Sequence, residues 1–174
     1  FDVASDIEYI GDDDIETADI KDHVCDVPVT TIQENAFNSK NNLKKVNIPE
    51  TVETIKRSAF WGAGAIEEID VPKTVKTIEK GAFVRCANLK NIIIRNPECT
   101  IDPSTSTVSD AYNNKTSKYS YSGSIYGFEG STAQEYAELN GYDFKELSPE
   151  VTNIQVDEDG NVTWNKAENA VSYR

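Results

Sequence analysis

Apolar side chains recur along the middle of the chain at a fixed step. Leu43, Val46 and Ile48 are followed 23 residues on by Ile66, Ile69 and Val71, and 23 further on by Leu89, Ile92 and Ile94. The same step carries Val29 to Val52 and Val75, and Ile32 to Ile55, Ile78 and Ile101. It also carries the pair Ala36-Phe37 to Ala59-Phe60 and Ala82-Phe83, while the positions between vary and are mostly polar. Within one period Leu43 to Ile48 reads as a strand, Pro49 begins a turn, Val52 to Ile55 is a second short extended piece, and Ala59-Phe60 sits on a helical or tight turn. A unit this short cannot bury its own apolar face, so successive units must cover one another and leave the variable positions to solvent. The fold class this predicts is α+β of mostly β character: a short right-handed repeat solenoid with N- and C-terminal caps.

The string L-x-x-V-x-I-P-x-x-V-x-x-I-x-x-x-A-F, running from Leu43 to Phe60, resembles the BspA-like class of leucine-rich repeat. That class is common in secreted and surface-attached bacterial proteins, and residues 29–101 follow it closely. The stretch from Ser124-Ile125-Tyr126-Gly127 to Tyr142-Asp143-Phe144 is similar to the segment that closes such arrays. Local physics supports a closing element there independently. Ser131 or Thr132 can cap a helix, Ala133, Tyr136 and Ala137 share one helical face, and Asn140-Gly141 supplies a left-handed stop.

Outside these coils the register weakens. Residues 1–28 are expected to form an N-terminal cap or degenerate repeat, with a strand near Ile7 to Ile10 and an acidic turn at Gly11 to Asp14. Two alignments compete. An unbroken step puts Ile20, His23 and Cys25 on the places of Leu43, Val46 and Ile48, whereas a two-residue deletion puts Val27-Pro28 on Ile48-Pro49. The second is preferred because it keeps the apolar-proline pair and a buried type of cysteine. Residues 102–123, rich in Ser, Thr, Asn and Tyr, read as an inserted loop before the cap at 124–147. Residues 148–174 alternate around Asp159-Gly160-Asn161 and resemble the first strands of a fibronectin type III domain, with Trp164 in a core place. Such a sandwich needs roughly 90 to 100 residues, so the chain is expected to continue past Arg174.

Composition removes several functions. A net charge of −13, with Lys44-Lys45 and Lys56-Arg57 as the only basic doublets, repels a phosphate backbone and argues against nucleic acid. The longest apolar run, Ile92 to Ile94, is far short of the ~20 residues that span a bilayer. No charged n-region precedes an apolar stretch, so any leader is expected to have been removed before Phe1. Three cysteines without Cys-x-x-Cys spacing and the single His23 do not make a zinc site. The motifs of serine hydrolases, zinc proteases, P-loops and dinucleotide folds are missing from the sequence. His23 alone is read as a structural or surface residue, so no catalytic residue, metal or cofactor is expected.

Cys86 and Cys99 lie beside core positions and read as small buried apolar residues. The exported setting implied by the resemblance also leaves a disulfide between them open. The acidic runs Asp12-Asp13-Asp14 with Glu16, and Asp157 to Asn161, lack the closing Glu of a calcium loop and read as solvated turns.

The surface follows from the same register. Lys44, Glu67 and Lys90 stack on successive coils, as do Lys45 with Glu68, Glu50 with Lys73 and Glu53 with Lys76, an alternation of sign that suits rungs about 4.8 Å apart. The candidate binding positions are the outward strand residues Lys45, Asn47, Glu68, Asp70, Asn91 and Ile93. Trp61 and the loop tyrosines Tyr112, Tyr119 and Tyr121 complete the set. The resemblance implies a non-enzymatic, exported bacterial surface module that binds host or neighbouring-cell surface proteins, with glycans as a second class of partner. The competing reading is a spacer within a larger exported protein, beside a polysaccharide-degrading domain.

Overall fold

The computed structural model describes residues 15–148 in full and, beyond them, the backbone of the strands Asp6–Ile7, Thr152–Val156 and Val162–Asn165. The repeated residues build a mostly β solenoid of about five turns. The shorter extended piece of each coil forms a flank sheet of five parallel strands, Asp6–Ile7, Thr31–Ile32, Thr54–Ile55, Thr77–Ile78 and Thr100–Ile101. The longer piece forms the front. Lys45–Asn47 pairs with Thr17–Asp19, while Glu68–Val71, Asn91–Ile94, Ser124–Gly127 and Asp143–Glu146 make a separate four-stranded parallel sheet.

Between the sheets the conserved step becomes stacked layers. Ile32, Ile55 and Ile78 are buried from the flank, and Val46, Ile69, Ile92 and Ile125 from the front. The third side of each coil is a turn whose phenylalanine points inward. Phe37, Phe60 and Phe83 stack face to face, with ring centroids 5.0 and 5.3 Å apart and planes within 4° and 10° of parallel. Ala36, Ala59 and Ala82 precede them fully packed, where a larger side chain would displace the neighbouring coil. The next coil answers Phe83 with Val108, which ends the ring stack.

Turn geometry also repeats. Asn35, Ser58 and Gly81 occupy equivalent left-handed positions, with φ of 62°, 55° and 71°, and so do Ser39, Gly62 and Arg85, at 58°, 68° and 58°.

The first full coil departs from both expected alignments. Thr17, Ala18 and Asp19 pair with Lys45, Val46 and Asn47, a separation of 28 residues, so the coil is longer than 23 rather than shorter. The extra length forms a small antiparallel hairpin, His23–Val24 against Val27–Pro28. Ala18 takes the inward place that sequence gave to His23 or to a residue of the two-shorter register. Cys25 is therefore not a core residue; it lies exposed at the hairpin tip.

The segment read as an inserted loop is more structured than that. Residues up to Ser109 complete a coil against Phe83, with Phe83 N–H donating to Thr107 O (2.9 Å) and Ser109 N–H to Phe83 O (3.1 Å). An antiparallel hairpin follows, Ala111–Asn113 against Lys118–Ser120. The chain then rejoins the front sheet through Gly123, where a Cβ would collide with the Lys90 carbonyl oxygen.

Helix α1 (Thr132–Asn140) closes the array. Ser131 caps it by accepting from Gln134 N–H, Gly141 ends it at φ 68°, and Ala133, Tyr136 and Ala137 face the core. The Tyr136 hydroxyl donates to Ser104 O (3.0 Å) and accepts from Val108 N–H (3.1 Å), tying the helix to the last repeat. Thr152–Val156 and Val162–Asn165 pair antiparallel. The core role expected of Trp164, and both acidic runs apart from Glu16, lie outside the described residues.

Candidate functional site

Alternation in a strand sends neighbouring side chains to opposite faces. With Val46, Ile69, Ile92 and Ile125 turned inward, the flanking positions form two outward columns fixed by the pairing register. One column runs Thr17, Lys45, then Glu68, Asn91, Ser124 and Asp143; the other runs Asp19, Asn47, then Asp70, Ile93, Tyr126 and Lys145. Lys45, Asn47, Glu68 and Asp70 are exposed, and Asn91 and Ile93 half-buried. The front sheet thus gathers these six predicted residues on one surface.

The columns are internally bonded. Asn91 donates to Glu68 (3.0 Å), Asn47 to Asp19, and Ser124 to Asp143 (2.6 Å). Asp70 receives both arms of Arg95, Nε at 2.7 Å and an Nη at 2.8 Å, a fork that holds the carboxylate in one orientation. The Ser124 hydroxyl, and then the Lys145 ammonium, hold the Asp143 carboxyl below its ordinary pKa. The expected charge ladder forms in part: Lys90 bridges to Glu67 and Lys76 to Glu53, each at 2.8 Å, while Lys44 turns to Glu16, also at 2.8 Å.

One feature of this face is local. Among the described residues, Lys45–Asn47 and Glu68–Val71 lie side by side without ladder pairing, since the front divides there into a two-stranded and a four-stranded piece. A groove of about 200 Å³ lies on this junction, lined by Val46, Asn47, Ile48, Glu50, Asp70, Pro72 and Arg95. It combines an apolar floor with a carboxamide, two carboxylates and a guanidinium.

The remaining predicted residues lie elsewhere. Trp61 sits on the third-side turns, 43% exposed, and Tyr112 and Tyr119 pair on the second hairpin with ring centroids 4.7 Å apart. Tyr121 corrects the sequence reading. It is buried rather than displayed, edge-on to Tyr142 at 5.7 Å, and burial, then the nearby Asp110, push its pKa up. Tyr126, Lys145, Ser124, Asp143 and Arg95 belong to the front face but were not foreseen. The first four do not follow the 23-residue step, with separations of 33 residues for Asn91 to Ser124 and 19 for Ser124 to Asp143; Arg95 keeps the step but stands where the two preceding coils have Pro49 and Pro72.

Cys86 and Cys99 are buried as read and are free thiols; burial pushes both pKa values up to about 12. His23 is half-exposed, 3.5 Å from the Asp22 carboxylate. Among the described residues no group of three His, Cys, Asp or Glu could hold a metal ion, and no helix is long and apolar enough to cross a membrane.

Comparison with known families returns one decisive result: the BspA type leucine rich repeat region matches residues 8–106 in six copies, more than half of the chain. The chain belongs to the BspA-type leucine-rich-repeat family. Two solved structures are distantly similar to this BspA-type chain. The leucine-rich-repeat protein TpLRR of T. pallidum is 13% identical, with a TM-score of 0.46 over 64% of this chain and 58% of that one. The pneumococcal vaccine antigen PcpA is 16% identical, with a TM-score of 0.49 over 78% of this chain and 42% of that one. This chain therefore spans less than two thirds of either protein. No curated protein sequence gave a match. The BspA-type match ends at residue 106 and lends nothing to the fibronectin type III resemblance of residues 148–174.

Proposed function

We propose that this chain is a non-enzymatic interaction module of an extracellular or cell-surface bacterial protein, contacting a protein on a host or neighbouring cell through its front sheet. The observation that carries the reading is the groove at the interrupted junction, where Asn47, Glu50 and the Asp70–Arg95 pair surround apolar Val46, Ile48 and Pro72. Polar groups already held by neighbours lose little freedom when a partner docks, which favours binding. Family membership supports a repeat module of this kind. On the same reading residues 1–28 are an N-terminal cap or degenerate repeat, residues 124–147 cap the other end of the array, and the fibronectin-like alternation of 148–174 marks a modular exported chain.

A spacer role is the second reading, favoured by the self-satisfaction of the face: Asp70 with Arg95, Asn91 with Glu68 and Asn47 with Asp19 all pair within the protein. The two readings separate on an array of purified extracellular-matrix and plasma proteins probed with the chain and with an Asn47→Ala/Glu50→Lys variant. An interaction module gives saturable binding to one or a few proteins that the variant loses. Silence across the array leaves the spacer, and binding that the variant keeps puts the contact away from the groove and overturns the front-sheet reading.

A further inference from the structure

The coil that leaves the front sheet at Asn91 returns at Ser124, 33 residues on, ten more than the repeat requires. Most of the excess is the hairpin Ala111–Asn113/Lys118–Ser120. Two strands of three residues are not stable alone, and this pair is held at both ends. At its base Asp110 N–H donates to Ser120 O (3.0 Å), and the Asp110 carboxylate accepts from the backbone N–H (2.8 Å) and hydroxyl of Ser122. Tyr121 anchors the exit strand by burying its ring against Tyr142 and donating to Ser124 O (3.3 Å). At the tip the Asn113 side-chain oxygen accepts from Lys115 N–H (2.9 Å) and Thr116 N–H (3.3 Å).

This scaffold displays a pair of aromatic rings together with two cations. Tyr112 and Tyr119 are directly opposite, their rings tilted by 45°, and Tyr112 is exposed. Residues 111–120 contain Lys115 and Lys118 and no acidic residue, in a chain of net charge −13. Trp61 belongs to the same row of turns: Ser39 N–H bonds to Trp61 O, Gly62 N–H to Val84 O and Cys86 N–H to Ser109 O, and the hairpin leaves at the next residue.

We propose that this hairpin is a binding site for a carboxylated glycan, whose sugar rings lie against the Tyr112–Tyr119 pair while Lys115 and Lys118 meet its carboxylates. Aromatic rings take up the C–H faces of sugars, and the amides and hydroxyls at the tip can bond ring oxygens. Size decides against a protein partner. A stable protein interface buries about 800 Å² on each side, whereas three-residue strands at ~3.4 Å per residue give a hairpin about 10 Å long, the reach of two or three sugar units. Charge density decides against nucleic acid, which presents one charge per about 1.7 Å and needs more than two cations. The net negative charge does not forbid a sparsely charged glycan, because the Debye length of about 8 Å screens distant acids from the hairpin.

The test is calorimetric titration of the full chain with hyaluronan and polygalacturonate oligosaccharides, with dextran oligomers as the neutral comparator and a polyglutamate peptide as the acidic non-sugar. At least one carboxylated oligosaccharide is expected to bind. Tyr112→Ala/Tyr119→Ala and Lys115→Gln/Lys118→Gln should each weaken it about tenfold or more, and Tyr112→Phe/Tyr119→Phe, which keeps both rings, by no more than about threefold. If loss of the rings unfolds the hairpin, the lysine pair decides, since its substitution leaves the tyrosine pair in place. Failure of both acidic oligosaccharides to bind, equal binding of dextran or polyglutamate, or unchanged affinity in the lysine variant would overturn the proposal. The Asn47→Ala/Glu50→Lys variant should keep glycan binding, which separates this site from the front-sheet reading.

Discussion

Phe60 is the ring whose removal should cost the array most. It is fully buried and has a stacked ring on either side, Phe37 at 5.0 Å and Phe83 at 5.3 Å. Phe83 is buried to the same extent, but its C-terminal neighbour is Val108. Truncation of a buried phenylalanine to alanine costs about 3–5 kcal/mol from lost transfer energy and the cavity left behind. A ring pair contributes about 0.5–1.5 kcal/mol beyond its area. Phe83→Ala removes one ring pair and Phe60→Ala two, so Phe60→Ala should be the more destabilising by about 0.5–1.5 kcal/mol. Urea unfolding followed by far-ultraviolet circular dichroism measures both. With m near 1–3 kcal/mol/M, either variant should lose more than about 1 M in midpoint. Equal costs, or a larger cost at Phe83, would show that the stack is only geometric and that area alone sets core stability.

Thiol chemistry should separate the cysteines: in native protein a neutral aromatic disulfide reagent should label only exposed Cys25, while Cys86 and Cys99, buried with pKa values pushed up to about 12, should react only after unfolding. Native labelling of two or three thiols would contradict the packing. Alkaline stability should follow the tyrosines. Burial raises the folded-state pKa values of Tyr121 and Tyr136, so their contribution is complete below the unfolded tyrosine value of about 10 and is lost as pH rises above it. The buried thiols of Cys86 and Cys99, raised from 9.0 to about 12, add the same dependence from lower pH, so melting temperature should fall from about pH 9 and more steeply above about pH 10. Above about pH 10 the fall should be less steep in Tyr136→Phe, and identical slopes there would refute the tyrosine assignment.

How much of this was legible follows from what burial constrains. The inward places repeat because each must fill the same space against the coil before and after, which is why Val29 to Ile101 could be aligned by eye. The first coil escaped because its inward front residue is Ala18, too small to make a hydrophobic peak, while His23 and Cys25 imitated the expected spacing from an exposed hairpin. Helix α1 was readable because its cap, buried face and glycine stop are local signals. The interruption between Lys45–Asn47 and Glu68–Val71 was not, since both strands carry the ordinary repeat pattern and the groove depends on how they meet. Tyr121 shows the same limit: three tyrosines of one polar segment looked alike, and only the position of Tyr142 decides that one of them is an anchor.

Both insertions enter at a corner of the coil, outside the sheet strands, and this placement explains how the array tolerates them. The first follows the front strand Thr17–Asp19 and ends before Thr31–Ile32, with Val29 N–H bonding to Asp22 O at 2.8 Å across its base. The second follows the third-side turn and ends before Ser124–Gly127, closed by Asp110 and Ser120. In each case the sheet beyond resumes its register, Thr31 on Thr54 and Asn91 on Ser124, so no ladder hydrogen bond is sacrificed to the added residues. The entropy of closing a loop grows only by about 0.6 kcal/mol per doubling of its length, and base contacts of the kind seen at Asp110 and Ser122 can offset that. Residues inserted within a strand would instead turn inward side chains outward in every following position. A solenoid of this type can therefore change its corners while its core repeats, and the corner hairpin with Tyr112, Tyr119 and two lysines is a place where new recognition chemistry can be added without disturbing the stack of Phe37, Phe60 and Phe83.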